Sequence, residues 1–380
     1  SGGFTGALDN LDEFGGAVAW LGDLDGAGRS ATALAVGAVG DDDGGADRGA
    51  VYVLFLDRTG NVLSHRKISS TAGGFTGALD NSDDFGTSVA SLGDLDGVGP
   101  SVCALAVGAP FDDDGDGGID RGAVYVLYLD SSGSVLTNQK ISSTQGNLPA
   151  VLDNLDEFGG ALRYVGDMDG TGPAVASLAV GTAGDDDGGA DRGAVYLVHL
   201  ASTGTVVSSS KISNTQGGFS ATLDNTDGFG TSVAYLGDLD GAGPGGVALA
   251  VGAAGDDDGG ADRGAIYVLF LSGVPTTAVP PVPVTSGGGV LGSTKPNPFR
   301  LRTTIQFRLN TAADVQIEIR DVSGRLIRRF ARVHMGPGSN GIEWDGLDDS
   351  GRAIAPGAYF YRMAVNGRDV TATEKAILLR

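Results

Sequence analysis

A segment of about seventy residues recurs four times in the first 275 residues, and this recurrence restricts the fold more than any other feature. "FGGAVAWLGDLDG" at Phe14 returns as "FGTSVASLGDLDG" at Phe85, "FGGALRYVGDMDG" at Phe158 and "FGTSVAYLGDLDG" at Phe229, spacings of 71, 73 and 71 residues. Each Phe is followed 27 residues later by three adjacent aspartates, in "GDDDGGADRGAVYVL" at Gly40 and in near-copies at Gly184 and Gly255. The copy at Phe111, "FDDDGDGGIDRGAVYVL", holds the two extra residues.

Within a unit the pattern is that of four short strands. "GAVAWLGDL" alternates small residues, and "ALAVGA" is an apolar run of a length suited to a strand buried on both faces. "GAVYVLFLD" is rich in β-branched and aromatic residues, and "VLSHRKIS" is more polar, as an outer strand is. Gly and Asp clusters separate them, and no stretch keeps a helical period. Four strands at this period predict a propeller blade.

"FGTSVASLGDLDG" followed by "LAVGAP" resembles the FG-GAP repeat of integrin α-subunit β-propellers, over Phe4 to Leu271 in four copies. The fold class expected is therefore all-β, with a β-propeller of four FG-GAP-like blades over residues 1–271. Integrin propellers have seven blades, so four copies imply a small ring, a ring completed in another way, or a chain cut from a longer one. The resemblance also implies Ca²⁺ in the loop after the first strand, held by Asp-x-Asp-x-Asp-Gly and a later Asp. Asp23 and Asp25 match the first two acids, as do Asp94 and Asp96, Asp167 and Asp169, and Asp238 and Asp240. The third acid is replaced by Ala27, Val98, Thr171 and Ala242, and the later Asp is absent.

The Asp triplet is a second candidate. Asp41, Asp43 and Asp47 stand at Ca²⁺-loop offsets, with Asp112 and Asp114, Asp185, Asp187 and Asp191, and Asp256, Asp258 and Asp262 in the other units. Adjacent like charges repel and favour a cation. The alternative is hairpin turns that use Asp for its turn chemistry, with Arg48 paired to an acid. A site shared by the two loops requires them to lie at one end of the sheet. A third acidic cluster, "LDNLDEFG" at Leu8, precedes each unit; Asp9, Asn10 and Asp12 and their repeats read first as turn caps of the next strand, with cation binding as the alternative.

Charge is uneven. Residues 1–275 hold 38 acids and 11 bases, net −27, whereas residues 276–380 hold 9 acids and 14 bases, net +5. The acidic body argues against nucleic acid and anionic membranes as partners. No apolar run reaches the ~18 residues of a membrane-spanning helix. The chain opens at Ser1 without Met or leader, which suggests a processed or trimmed product. Cys103, the only cysteine, sits in "VCALAVGA" as a small apolar residue. The three His lie in unrelated contexts, no nucleophile or phosphate-binding motif is present, and the carboxylates repeat with the units, whereas a catalytic pair needs two different environments. No enzyme is expected.

"SGVPTTAVPPVPVTSGGGVLGSTKPNP" reads as a Pro/Gly-rich linker over 272–294. From Lys295 the chain alternates with period two, an antiparallel sandwich of about seven strands over 295–380. This part resembles the FlgD-type Ig-like domain and the C-terminal sorting domain of type IX secretion. The resemblance rests on Pro296 to Pro298, Asp321 with Gly324 and Arg325, Trp344 to Gly346, Gly351, Gly357 with Tyr359, and Lys375. It implies an extracellular or cell-surface protein.

The function expected is adhesion or extracellular assembly. The alternatives are a carbohydrate- or ligand-binding propeller and a non-catalytic fragment of a secreted hydrolase. The first three units end in "VLSHRKISS", "VLTNQKISS" and "VVSSSKISN", but the fourth has no such strand after Leu271. Its open edge calls for the linker near Ala278 to Val284, or for another molecule. The partners expected are other protein chains, through self-association by the linker or the C-terminal domain.

Overall fold

The computed structural model describes residues 2–25, 32–97, 102–114, 117–168, 174–237, 239, 246–272, 289–295, 297, 299–309, 312–321, 325–336, 338–365 and 368–379. All regular structure is β, and the chain divides into two compact parts, Ser1–Thr277 and Ala278–Arg380.

Each repeat folds as an antiparallel meander. The first contains β1 (Val18–Gly22), β2 (Thr32–Ala38), β3 (Ala50–Leu56) and β4 (Val62–Ile68), hydrogen-bonded in that order. The second contains β5 (Ser88–Gly93), β6 (Cys103–Ala109), β7 (Ala123–Leu129) and β8 (Val135–Ile141), and the third β9 (Ala161–Gly166), β10 (Ala174–Thr182), β11 (Ala194–Ala201) and β12 (Val206–Ser213). The fourth has three strands, β13 (Phe229–Gly237), β14 (Gly246–Ala253) and β15 (Ala265–Ser272). Its missing outer strand was expected from the sequence; the residues proposed to replace it, 273–288, lie outside the described ones.

Four-stranded meanders are what blades are made of, and they pack face to face in chain order. Val51, Val53 and Phe55 of β3 meet Tyr125, Leu127 and Leu129 of β7 in one apolar cluster. Val124, Val126 and Tyr128 meet Tyr196, Val198 and Leu200 in the next, and Val195 and Leu197 meet Leu249, Val251 and Leu269 in a third. The inner strands of units one to three stay buried on both faces, which is why they read as unbroken apolar runs. A glycine in the second strand permits the close approach: a Cβ at Gly37 would lie 2.0 Å from the Gly86 carbonyl oxygen of the next unit. The sequence expectation was a ring. Among the described residues no apolar cluster joins the first and fourth sheets, so a closed propeller is not formed by such a contact.

The second part is a two-sheet β structure. One sheet orders β16 (Gly289–Lys295), β17 (Thr303–Leu309) and β21 (Gly338–Trp344). The other orders β19 (Leu326–Arg329), β18 (Ala313–Asp321), β22 (Gly357–Val365) and β23 (Arg368–Leu378), with β20 (Val333–Met335) also on β18. β16 begins six residues before Lys295, so the last stretch of the expected linker, "GVLGST", is a strand of this part. β18 alternates buried and half-buried residues, as its period-two sequence requires. Trp344 is fully buried, donates Nε1–H to the Leu347 carbonyl at 3.1 Å, and packs edge-on against Tyr359 at 5.6 Å between ring centroids. Asp321 accepts from the Arg325 backbone N–H and from Arg325 Nε. Asn297 Nδ2 donates to the Lys375 carbonyl, tying the entry of the domain to its last strand.

Candidate functional site

The hairpin topology puts the two predicted Ca²⁺ loops at opposite ends of each sheet. Asp23 and Asp25 follow β1, whereas the Asp triplet follows β2, which runs back antiparallel. A joint site is therefore excluded by connectivity. Asp94, Asp96 and Asp167 hold the corresponding places in later units; Asp169, Asp238 and Asp240 lie outside the described residues.

The triplet has a different counter-ion from the one anticipated. In unit one, Lys67 of β4 places Nζ 2.7 Å from Asp41 and 2.8 Å from Asp43. In unit two, Lys140 of β8 lies 2.7 Å from Asp112 and 3.1 Å from Asp114. In unit three, Lys211 of β12 lies 2.5 Å from Asp185 and 2.9 Å from Asp187. The first and third acids point the same way because alternate residues of an extended turn share a side, and the outer strand brings the lysine between them. Each ammonium also lies over the Tyr of the third strand, at 5.7, 5.8 and 5.4 Å from the ring centroid. Burial alone would lower the lysine pKa values, but the paired carboxylates override it and hold all three above the ordinary lysine value. Burial raises the carboxyls of Asp43, Asp114 and Asp187, but hydrogen bonds to each from its lysine and from neighbouring side chains such as Ser69, Ser142 and Ser213 outweigh it, and all three end below the ordinary range.

The remaining acids shape the loop. The middle one accepts from the backbone N–H of the Asp before the Arg: Asp42 from Asp47, Asp113 from Asp120 and Asp186 from Asp191, each at 2.9 Å. The three donors, Asp47, Asp120 and Asp191, have φ of 49°, 48° and 50°, a left-handed conformation that Asp tolerates. Among the described residues Arg48 and Arg192 form no ion pair with an acid of their own loop. The arginine Nε donates to an Asn of the following unit: Arg48 to Asn81 at 3.2 Å, Arg121 to Asn154 at 3.1 Å and Arg192 to Asn225 at 3.1 Å. The cluster preceding each unit is a turn cap, as expected, with Asp12, Asp83, Asp156 and Asp227 accepting from the N–H three residues earlier at 2.8–2.9 Å. Burial pushes Asp83 up to about 7, with the Asp112 charge adding to it, and burial pushes Asp156 up to about 7.

In unit four Asp256 accepts from Tyr267 Oη at 2.8 Å and from the Asp258 backbone N–H, and no lysine joins them among the described residues. Asp262 again has left-handed φ, 49°. Among the described residues no group of three or more His, Cys, Asp or Glu side chains has the arrangement of a metal site. Units one to three do not suit a Ca²⁺ ion, because the ammonium stands between the two carboxylates that would have to hold it.

Residues 300–369 match the FlgD Ig-like domain family. No curated protein matches the chain. Among solved structures, the FlgD protein of P. aeruginosa is 20% identical over 25% of this chain and 76% of its own, with a TM-score of 0.19. PorZ, a surface component of the type IX secretion system of Porphyromonas gingivalis, is 15% identical over 92% of this chain and 37% of its own, with a TM-score of 0.32. The Pseudomonas fluorescens DNA glycosylase AlkC is 18% identical over 25% of this chain, with a TM-score of 0.20. The chain spans about a third of the AlkC and PorZ chains.

Proposed function

We propose that this chain is a non-enzymatic adhesion or assembly protein of the cell exterior, with an FG-GAP-like repeat body and a FlgD-type Ig-like module. The observation that carries the reading is the use to which the repeated polar residues are put. Triplet, lysine, arginine and asparagine hold loops closed and units together, in the same way three times over. That is the economy of a scaffold. Meander order and chain-order stacking support reading the units as propeller blades. The FlgD-type match supports an exterior location, since the sorting domains of type IX secretion resemble that family. Calcium is retained as a proposal for unit four alone, where Asp256 and Asp258 lack the lysine.

The location is tested by producing the epitope-tagged chain in a bacterium that has type IX secretion. The reading predicts a tag that protease removes from intact cells, and its retention inside once residues 289–380 are deleted. A chain that stays inside, or reaches the surface without that domain, overturns it.

A further inference from the structure

The three junctions between units are built from the same parts, and each part is present without its counterpart at the two ends of the row. The outgoing face of units one to three is buried: Val51 and Val53 are 0% exposed, as are Val124 and Val126. The matching residues of unit four, Ile266, Val268 and Phe270, are 76%, 47% and 60% exposed. The incoming face shows the converse. Val89 and Leu162 are 9% and 8% exposed in units two and three, whereas Val18 of unit one is 58% exposed, with Trp20 beside it at 69%.

Backbone ladders repeat the pattern. Ser82, Asp84 and Phe85 donate N–H to the carbonyls of Ala46, Asp47 and Arg48 at 2.9, 3.2 and 3.0 Å. Leu155, Glu157 and Phe158 donate to Ile119, Asp120 and Arg121, and Thr226, Gly228 and Phe229 to Ala190, Asp191 and Arg192. By position, the matching acceptors are Ala261, Asp262 and Arg263, and the matching donors are Leu11, Glu13 and Phe14; among the described residues no backbone hydrogen bond joins these six groups to one another. Leu11 and Glu13 hold φ of 76° and 51° without that partner, close to the 67° and 55° of Ser82 and Asp84 with it. The donor segment is thus already in its bound shape. A Cβ at Gly49, Gly122 or Gly193 would lie 2.1–2.3 Å from the next unit's Phe carbonyl oxygen, whereas at Gly264 the nearest atom is the Ala254 carbonyl oxygen at 3.3 Å.

We infer that the outgoing face of unit four binds the incoming face of unit one in a second copy of this chain. Arg263 then meets Asn10, the three carbonyls of 261–263 receive the N–H groups of Leu11, Glu13 and Phe14, and Ile266, Val268 and Phe270 cover Val18. The occupant is specified by the three junctions inside the chain, which display the same interface already made. It is a second copy because the chain's own first unit does not cover the face. Such a contact is head-to-tail, so each addition leaves one free face of each kind and the assembly grows as a filament unless its rotation closes a ring. Burial of exposed apolar area drives it, and the net charge of −22 opposes it, so added salt promotes it.

This inference deepens the assembly reading above, but its test uses purified chain and does not depend on where the protein resides. Mass is measured by light scattering over a concentration series for the intact chain and for two variants. One is blocked at the tail, Val268→Asp with Phe270→Asp; the other at the head, Val18→Asp with Trp20→Asp. All four positions are exposed, and circular dichroism melting checks that the fold persists. The intact chain is expected to give growing multiples of 38.1 kDa. Each variant alone is expected to stay monomeric, and the two mixed are expected to form one dimer and nothing larger, through the one head and one tail left intact. An intact chain that stays monomeric overturns both the inference and the assembly reading. An intact chain that assembles while the mixed variants do not, or while the variants assemble alone, overturns this interface and leaves assembly to other surfaces.

Discussion

Replacing Lys140 by Met removes one ammonium and little volume, so it isolates the role of the lysine between the acids. Its side chain is 12% exposed, and those of Asp112 and Asp114 are 3% and 0%. Two carboxylates are left in a buried loop without their cation. Breaking a buried pair from one side costs about 3–5 kcal/mol, and the isosteric side chain adds little cavity cost. For a body of this size that lowers the melting temperature by roughly 6–20 °C, at about 2–4 °C per kcal/mol. The pH dependence carries the sign. The Asp114 carboxyl lies below its ordinary value, so its contribution is present above pH ~3.8 and lost as pH falls through its folded value. Without the lysine, burial raises the carboxyls instead, and the variant loses stability as pH rises. The gap between the two proteins therefore widens from pH 4 to pH 7. Lys67→Met gives a smaller gap, because Lys67 and Asp43 are 25% and 36% exposed. Urea unfolding at pH 4, 5.5 and 7 measures all of this. A Lys140→Met loss under about 1 kcal/mol at pH 7, or one that shrinks with pH, would refute the buried-pair argument.

Burial holds Asp83 at about 7, above its unfolded value, so it stabilises the fold below pH ~4 and withdraws that contribution as pH rises through 7. Asp83→Asn should flatten the decline of unfolding free energy between pH 4 and 8, by up to roughly 4 kcal/mol, read by urea unfolding. A double-mutant cycle of Arg121→Ala and Asn154→Ala should return a coupling of about 0.5–1.5 kcal/mol in urea unfolding. Trp344→Ala should cost the C-terminal part about 3–5 kcal/mol without changing the melting of the repeats, followed by calorimetry. Calcium added after chelation should alter melting only through unit four, and Asp256→Asn should abolish that change; an effect that survives the substitution places the ion elsewhere.

The strands were legible because their chemistry is local. "AVYVLFL" and "ALAVGA" read as β from their own residues, and the fourth unit's missing strand followed from the loss of "KIS" after Leu271. The partners of the aspartates were not legible, because they are set by topology. Lys67 comes from β4, which begins 15 residues after Asp47, the Asp before the loop's arginine. A signal was available, since the lysine appears in the three units that have a fourth strand and is missing from the unit that lacks one. The constant interval of 33 residues between each arginine and its asparagine was equally present, but a reading confined to one unit could not use it. In the C-terminal part the alternation of β18 fixed its buried face, whereas β16 was hidden because "GGVLGSTK" has the composition of a linker and gains its place only by pairing with β17.

The most direct test is a crystal structure determined from crystals grown with millimolar calcium. The account predicts each of Lys67, Lys140 and Lys211 with Nζ in hydrogen-bonding distance of the first and third acids of its unit, and no metal there. A calcium ion bound to Asp41 and Asp43, Asp112 and Asp114, or Asp185 and Asp187, with oxygen ligands at about 2.3–2.6 Å and the lysine turned away, would contradict it.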